Sequence, residues 1–460
     1  MKFDFSKYPI RNRGYSANPM AFLELGPSKV FGGIFQLILI ETGNRTACER
    51  WQQAQLRNLL RHATQRSSFW RNRVGAKRSD RKLSALPILT RTDLIQQVKQ
   101  EGPLLRPTDG LQTSMQGTSG SSGVPVQFYV SRMNAQYNGV RHLAQYFIEG
   151  KDLSVNRTRI KTATASNAKK IATIPSGFTV AKGPSWLGEI GSVFKSGGSK
   201  LIECLNPNMR DLVRELRKDA VGQLVANPGF VSAIISRYGA QLLRELRVSE
   251  WIALAEEIDP VLYQAIVDQG IPVRSTYSCE EVGPIAFECE ATPGHYHVAT
   301  SNVVVEIAGD LHEIEGKKLG RVLVTHLHSY ATPFIRYDLG DLALLKETCP
   351  CGHDGPTIHS LYGRVTNALK HRDGTFSRFY IRGYELLKIV EFTEFRVRQV
   401  GLDAIAIELG GRETLTPDEI TSVTAFLKAR AGDEFKIDVI ARAAIDWGDS
   451  IKRLSFRCEV

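Results

Sequence analysis

Six consecutive residues, Thr118-Ser119-Gly120-Ser121-Ser122-Gly123, carry four hydroxyls and two glycines, with Gly117 just before them. Glycine lets a chain turn where a Cβ would clash. Successive amides and hydroxyls can then wrap phosphate oxygens as a nest. This is not the lysine-terminated NTPase loop, because no Gly-Lys-Ser/Thr is present. Composition alone would also suit a surface linker. The abrupt entry into Val124-Pro125-Val126-Gln127-Phe128-Tyr129-Val130, which reads as a strand, argues for a built site instead.

A second cluster has metal chemistry. Cys349-Pro350-Cys351-Gly352 makes a tight turn of paired thiols, and Cys289 is followed by His295 and His297. Thiolate and imidazole are good tetrahedral zinc ligands. In a strand the two histidines share a face, so periodicity does not choose between them. Cys48, Cys204, Cys279 and Cys458 have no partner suggested by spacing. The ten histidines form no persuasive Ser-His-Asp or Cys-His hydrolase arrangement.

These residues need elements to position them. Residues 1–45 read as an irregular lead-in, although the apolar run Phe31 to Ile40 suits a buried helix or a cavity wall. Ala47 to Asn72 has helical periodicity, and Thr90 can cap a short helix from Arg91. Asn134 to Phe147 is expected to be a helix following the strand after the loop. Residues 150–205 read as loops of a substrate region. Met209 to Leu216, Phe230 to Leu246 and Ser249 to Glu257 are predicted helices, and Val303 to Ile307 and Gly320 to Thr325 predicted strands. After Gly363 short β-like runs, 379–381, 395–400 and 405–409, surround a helix opening at Thr416-Pro417-Asp418-Glu419 and running to Ala431, with a last strand at 439–443.

At 460 residues the chain exceeds one ordinary core. Its 42% hydrophobic and 23% charged residues describe a soluble folded protein. The net charge of +11 is spread along the chain and forms no long basic tract, so it suits attraction of anionic substrates better than nucleic-acid binding. No secretory signal or membrane span is visible, and seven scattered cysteines are no secreted disulfide scaffold, so a cytoplasmic location without integral membrane association is expected.

The order of segments resembles the adenylate-forming, or acyl/aryl-AMP ligase, superfamily, and within it the phenylacetate–coenzyme A ligase-like, capsule-biosynthesis-related branch. Phe69-Trp70-Arg71 and Leu86-Pro87-Ile88-Leu89-Thr90-Arg91-Thr92-Asp93-Leu94 are similar to that branch's N-terminal signature. Thr118 to Pro125 resembles its phosphate loop, and Leu224-Val225-Ala226-Asn227-Pro228 its central segment. The resemblance implies an α/β and α+β multidomain fold: a large N-terminal domain of mixed sheets and helices over 1–361, binding ATP and acid, and a small mobile α+β domain over 362–460. It also implies residue roles. Tyr277-Ser278-Cys279-Glu280-Glu281 matches the motif in which Tyr277 faces adenine and Glu281 binds Mg²⁺, with Ser278 and Glu280 departing from the usual glycine and hydroxyl residue. Thr332-Pro333-Phe334-Ile335-Arg336-Tyr337-Asp338-Leu339-Gly340-Asp341 matches the segment whose last aspartate, Asp341, holds the ribose hydroxyls, while Arg336 orders local structure or approaches phosphate.

Gly363-Arg364 resembles the start of the interdomain hinge, where Arg364 also reaches the ribose. Thr366 and Asn367 stand where relatives commonly have two aspartates, and Lys370 keeps the expected offset. Near the C-terminus Ser450 occupies the position of the usual adenylation lysine. Lys452, the catalytic candidate there, takes that role if the register slips, with Arg453 beside it. Related sequences also imply a structural zinc site, by position Cys289, His295, Cys349 and Cys351, with His297 the alternative to His295. The implied reaction joins a carboxylic acid, aryl or small acyl, to ATP and passes it to the thiol of coenzyme A. An amine, a sugar or an external carrier protein is the alternative acceptor, and an adenylation-weakened nucleotide-binding homologue the alternative to an active enzyme. Residues 181–205, Trp186 and Phe194 among them, and 226–231 are expected near the acid, with core packing competing for both aromatics. A monomer or homodimer is expected.

Overall fold

The computed structural model describes residues 25–75, 82–118, 126–163, 165–187, 194–254, 257–314, 316–364, 368–381, 383–447 and 456–460. Fourteen strands among them form one sheet with two characters. Arg157–Thr162, Ser199–Cys204, Gly222–Ala226, Val248–Ala253 and Val273–Cys279 run parallel, with Phe178–Gly183 antiparallel at the edge. Gly283–Glu288, Tyr296–Val298, Thr357–Arg364, Tyr337–Lys346, Lys317–His326 and Val303–Ile314 continue it antiparallel.

The two halves meet on the strand Val273–Cys279. Its last parallel pair is Ala253↔Ser275, and its antiparallel pairing begins one residue later with Thr276↔Phe287. Tyr277 therefore stands beyond the carboxyl end of its parallel neighbour, where open α/β sheets leave a crevice for ligands.

The structure departs from several expectations. Val248–Ala253 is a strand and not a short helix: its burial pattern leaves only Ser249 exposed, as for a central strand covered on both faces, and so short an apolar run carries no decisive period. The 150–205 region, read as loops, supplies three strands of the sheet. The lead-in is not irregular throughout: the apolar run Phe31 to Ile40 lies, as one of its two readings had it, in a helix, Leu25–Thr42, whose Ile34 and Leu37 pack with Val140 and Leu143 of the helix Arg132–Ile148. The helix Leu25–Thr42 also leaves Phe31, Phe35 and Leu39 exposed. No helix among the described residues is long and apolar enough to cross a membrane. Phe379 to Ile381 is not strand; the neighbouring Phe376–Arg378 is.

Helices Arg45–Arg66, Ser68–Val74 and Arg91–Glu101 close one core over the antiparallel half, around Trp70, Leu89, Phe128 and Phe334. The last helix opens with the capping box Thr90/Asp93. A second core lies under the parallel half around Trp251, Leu224 and Ile234. A separate four-stranded sheet, Lys436–Arg442, Ala404–Gly410, Glu394–Gly401 and Phe456–Cys458, carries its own core with the helix Pro417–Ala431. Between the two sheets, Ala368–Lys370 and Phe376–Arg378 still belong to the large one, through Ile314↔Phe376.

Candidate active site and metal centre

Thr113–Gly117 and Gln127–Ser131 pair antiparallel on either side of the hydroxyl-rich segment in the sequence. Thr118 closes the neck: its amide donates to Val126 O at 3.0 Å and its hydroxyl accepts from Val126 N at 3.0 Å. Ser119, Gly120, Ser121, Ser122 and Gly123 lie outside the described residues, as do Thr366, Asn367, Ser450, Lys452 and Arg453.

Thr118 lines a cleft of about 3670 Å³ together with Tyr277, Glu281, Asp341 and Arg364. A single drug-sized ligand occupies a site of roughly 300–1,000 Å³, so this space admits several reactants together. Within it Tyr277 Oη donates to Asp341 Oδ2 at 2.7 Å. Burial, and then the Asp341 carboxylate, hold the Tyr277 phenol well above its ordinary range, so it stays a donor. Asp341 pairs across the sheet with Arg364. Four of the expected nucleotide residues thus share one cleft.

Glu281 accepts from Tyr337 Oη at 3.2 Å. The turn behind it is fixed from below: Asn302 Nδ2 donates to Val282 O at 3.0 Å and Pro284 O at 2.7 Å. Gly283 between them has φ +73°, and a Cβ there would meet the Asn138 side chain at 3.2 Å. A side chain at that position would be strained and crowded. Nothing in the residue types assigns a role to Tyr337 or Asn302: Tyr337 lies inside the segment from Thr332 to Asp341, and Asn302 has no local sequence signal.

Arg336 takes the ordering role. It adopts φ +52°, reaches Glu306 Oε2 at 3.1 Å and donates to Ser84 O at 2.9 Å and to Leu86 O. Its carbonyl accepts from Leu89 N and Asp338 N donates to Leu89 O, each at 3.0 Å, so the segment around Pro87 is stitched to the one that ends at Asp341. Phe194 is core, packed on Phe147, whereas Trp186 lines the cleft.

The thiols of Cys289, Cys349 and Cys351 and the imidazole of His297 come together, their donor atoms all within 4.8 Å of one another. His297, not the favoured His295, completes this group. His297 Nε2 is 3.4 Å from Cys351 Sγ, while His295 reaches only Cys349, at 4.0 Å, and stacks on His359. The backbone explains the choice: His295 O accepts from Cys289 N at the turn entry, and the strand Tyr296–Val298 carries His297 across to the thiols. Burial, and then the neighbouring imidazoles of His353 and His295, lower the His297 proton affinity to about 4, leaving a neutral ligand nitrogen. A zinc ion at about 2.3 Å from each sulfur would draw such donors slightly closer, and three thiolates with one imidazole is a set that zinc takes.

No family model matches the chain, and no curated protein matches it in sequence. Among solved structures it is similar to 2-hydroxyisobutyryl-CoA ligase. In the postadenylation state with 2-HIB-AMP the TM-score is 0.62 at 16% identity, covering 92% of this chain and 91% of that one. In the thioesterification state with 2-HIB-AMP and CoA it is 0.55 at 16% identity, covering 92% of both chains. The open conformation scores 0.53 at 16% identity, covering 91% of this chain and 93% of that one. This likeness reaches the fold and not the narrower phenylacetate–CoA ligase-like branch. Fourteen-stranded sheet, cleft and small C-terminal sheet together give this chain the fold of the adenylate-forming ligases.

Proposed function

We propose that the chain activates a carboxylic acid, aryl or small acyl, with ATP as an acyl adenylate and then transfers the acyl group to the thiol of coenzyme A. One observation carries the reading: Tyr277 bonded to Asp341, Glu281 held by Tyr337, and Thr118 at the neck of the hydroxyl-rich loop all open on one cleft. In the first step a carboxylate oxygen bonds to the α-phosphorus and pyrophosphate leaves. In the second a thiol sulfur bonds to the acyl carbon and AMP leaves.

Each residue has a physical task in this scheme. The Tyr277 ring offers adenine a stacking face while its hydroxyl is engaged by Asp341. Asp341 retains acceptor capacity for vicinal ribose hydroxyls, and Arg364 stands across the strand pair from it. Glu281 would hold Mg²⁺, an ion that neutralises phosphate charge. Ser119 to Gly123 would grip the triphosphate, and Lys452 would supply the cation that Ser450 does not. The C-terminal sheet, with its separate core, is the part that turns between the steps, the large sheet running on past residue 361 to Arg378. Cys289, His297, Cys349 and Cys351 hold a structural zinc.

Acid-dependent exchange of pyrophosphate into ATP tests the scheme. Exchange with at least one acid of a broad panel is expected, followed by thioester formation when CoA is added. A panel that gives no exchange while ATP still binds would overturn adenylation for those acids. Exchange without thioester formation points to an amine, sugar or carrier-protein acceptor.

A further inference from the structure

The acid side of the cleft has an unusual charge. The helix Arg132–Ile148 packs over the parallel strands, and side chains on one face of those strands look toward it. Tyr146 of that helix meets Trp186 edge to face with ring centroids 5.7 Å apart, and the Arg157 guanidinium lies 3.7 Å from the Trp186 ring and 5.0 Å from the Tyr146 ring. Gln223 Oε1 accepts from Arg157 Nε at 3.0 Å and Nη2 at 2.6 Å, and Nη2 also donates to the Tyr146 hydroxyl. Trp186 is itself pinned, its Nε1 donating to Val155 O at 2.9 Å. The arginine is held as a rigid plate, yet every one of these contacts is to a neutral group.

Charge pairing separates this arginine from its neighbours. Lys151 is neutralised by Glu149 and Glu250, each at 2.9 Å, Arg274 by Glu290 at 2.7 Å, and Lys161 by Glu203 at 2.8 Å. Arg157 has no carboxylate partner among the described residues. Arg159, two residues along the same strand and so on the same face, is exposed to the cleft, and its side chain has neither ion pair nor hydrogen bond among them. The field of this corner is felt by His142 on the overlying helix. Its depth in the cleft, then Arg157, Arg141, Arg159 and Lys151, push that imidazole down to about 4. A side chain that would otherwise add to the positive charge is thereby kept neutral.

We infer that Arg157 and Arg159 form an anion subsite for the far end of the acid, so that the preferred substrate carries a second anionic group, a carboxylate or a phosphate, opposite the carboxylate that is activated. The inference rests on the adenylation scheme above for which end reacts. Register gives the scale. Arg159 is level with Val225, Ile252 and Arg274, and Tyr277 lies three strands over and three residues farther along. At about 4.8 Å between strands and about 3.3 Å per residue, the two Cα atoms are roughly 17 Å apart. The nucleotide at Tyr277 and the acid together have to fill that span, which favours an extended, two-ended acid.

Isosteric pairs test it: terephthalate against 4-methylbenzoate, 4-carboxyphenylacetate against 4-methylphenylacetate, and glutarate against valerate. Pyrophosphate exchange is measured without CoA, for the native chain and for Arg159→Gln, Arg157→Lys and Arg157→Gln. Each acid's effect on melting temperature is measured in parallel without ATP. The diacids should exceed their partners in kcat/KM. A charge-assisted hydrogen bond is worth about 1.5–3 kcal/mol, so the ratio should fall about tenfold or more in Arg159→Gln. Arg157→Lys keeps the charge and loses the planar fork, and should retain part of the ratio. Equal exchange with both members of every pair overturns the anion subsite and leaves adenylation standing. Thioester formation is then followed with CoA varied, and variants that leave every exchange ratio unchanged but raise KM for CoA also overturn it, by giving the arginines to the acceptor's phosphates. Absence of exchange with every acid counts against adenylation instead, and the melting shifts then decide the subsite. Stabilisation by diacids alone, lost in Arg159→Gln, upholds it; equal shifts end it.

Discussion

Tyr277 and Asp341 are 64 positions apart in sequence and 2.7 Å apart in space. Their bond makes two unequal predictions. Tyr277→Phe keeps the ring and loses one hydroxyl, worth about 1 kcal/mol, so KM for ATP should rise only about fivefold. Asp341→Asn removes the charge that the ribose and Tyr277 both use, and should cost about tenfold to a hundredfold in kcat/KM for ATP. The reverse order in steady-state exchange kinetics would remove Asp341 from the ribose role. Both residues were legible in the sequence because each ends or opens a motif. That they bond was not, since the contact joins Tyr337–Lys346 to the strand Val273–Cys279, four places away in the sheet order, and depends on every register between them. Asn302 was illegible for a different reason: a buried asparagine that holds two carbonyls leaves no spacing pattern.

Elements decide what residue types alone leave open. His295 and His297 are chemically the same ligand, and period-2 geometry puts them on one face. The turn that bonds Cys289 N to His295 O settles which one meets the thiols. His297→Gln or Cys351→Ser should therefore abolish stoichiometric zinc, measured by elemental analysis of protein purified without chelator, and should lower the melting temperature. His295→Gln should retain the metal. Zinc lost from His295→Gln and kept in His297→Gln would reverse the assignment. The eight-residue helix Met209–Leu216 was read at its bounds and the helix opening at Thr416 from its cap, whereas Phe230 to Leu246, read as one helix, is two, Pro228–Tyr238 and Gln241–Glu245, parted at Gly239. Val248–Ala253 was misread because burial on both faces erases the alternation that marks a strand.

At the scale of the whole molecule, buried imidazoles tie stability to pH. His326 is fully buried with neither ring nitrogen hydrogen-bonded among the described residues, and burial, then the Arg141 charge, hold its proton affinity well below the ordinary value. Burial and Arg141 likewise bring His328 to about 4. An unfolded imidazole takes a proton near pH 6.5, whereas folded His328 does so only near 4. Below 6.5 the unfolded chain binds more protons, so this contribution is full above pH 6.5 and is lost as pH falls toward 4. Melting temperature should drop over that interval, by an amount on the order of a few kcal/mol in stability, and His328→Gln should flatten the slope. A melting temperature independent of pH from 7 to 5 would contradict it. The strand that joins the two halves of the sheet has a different consequence, for how such a protein changes over time. Up to Ser275 its residues are committed to parallel neighbours, and from Thr276 onward one edge is released to the cleft. Substitutions before the handover are paid in stability, while those after it alter what a ligand meets. A lineage could therefore revise its chemistry along four residues without renegotiating the fold that holds them.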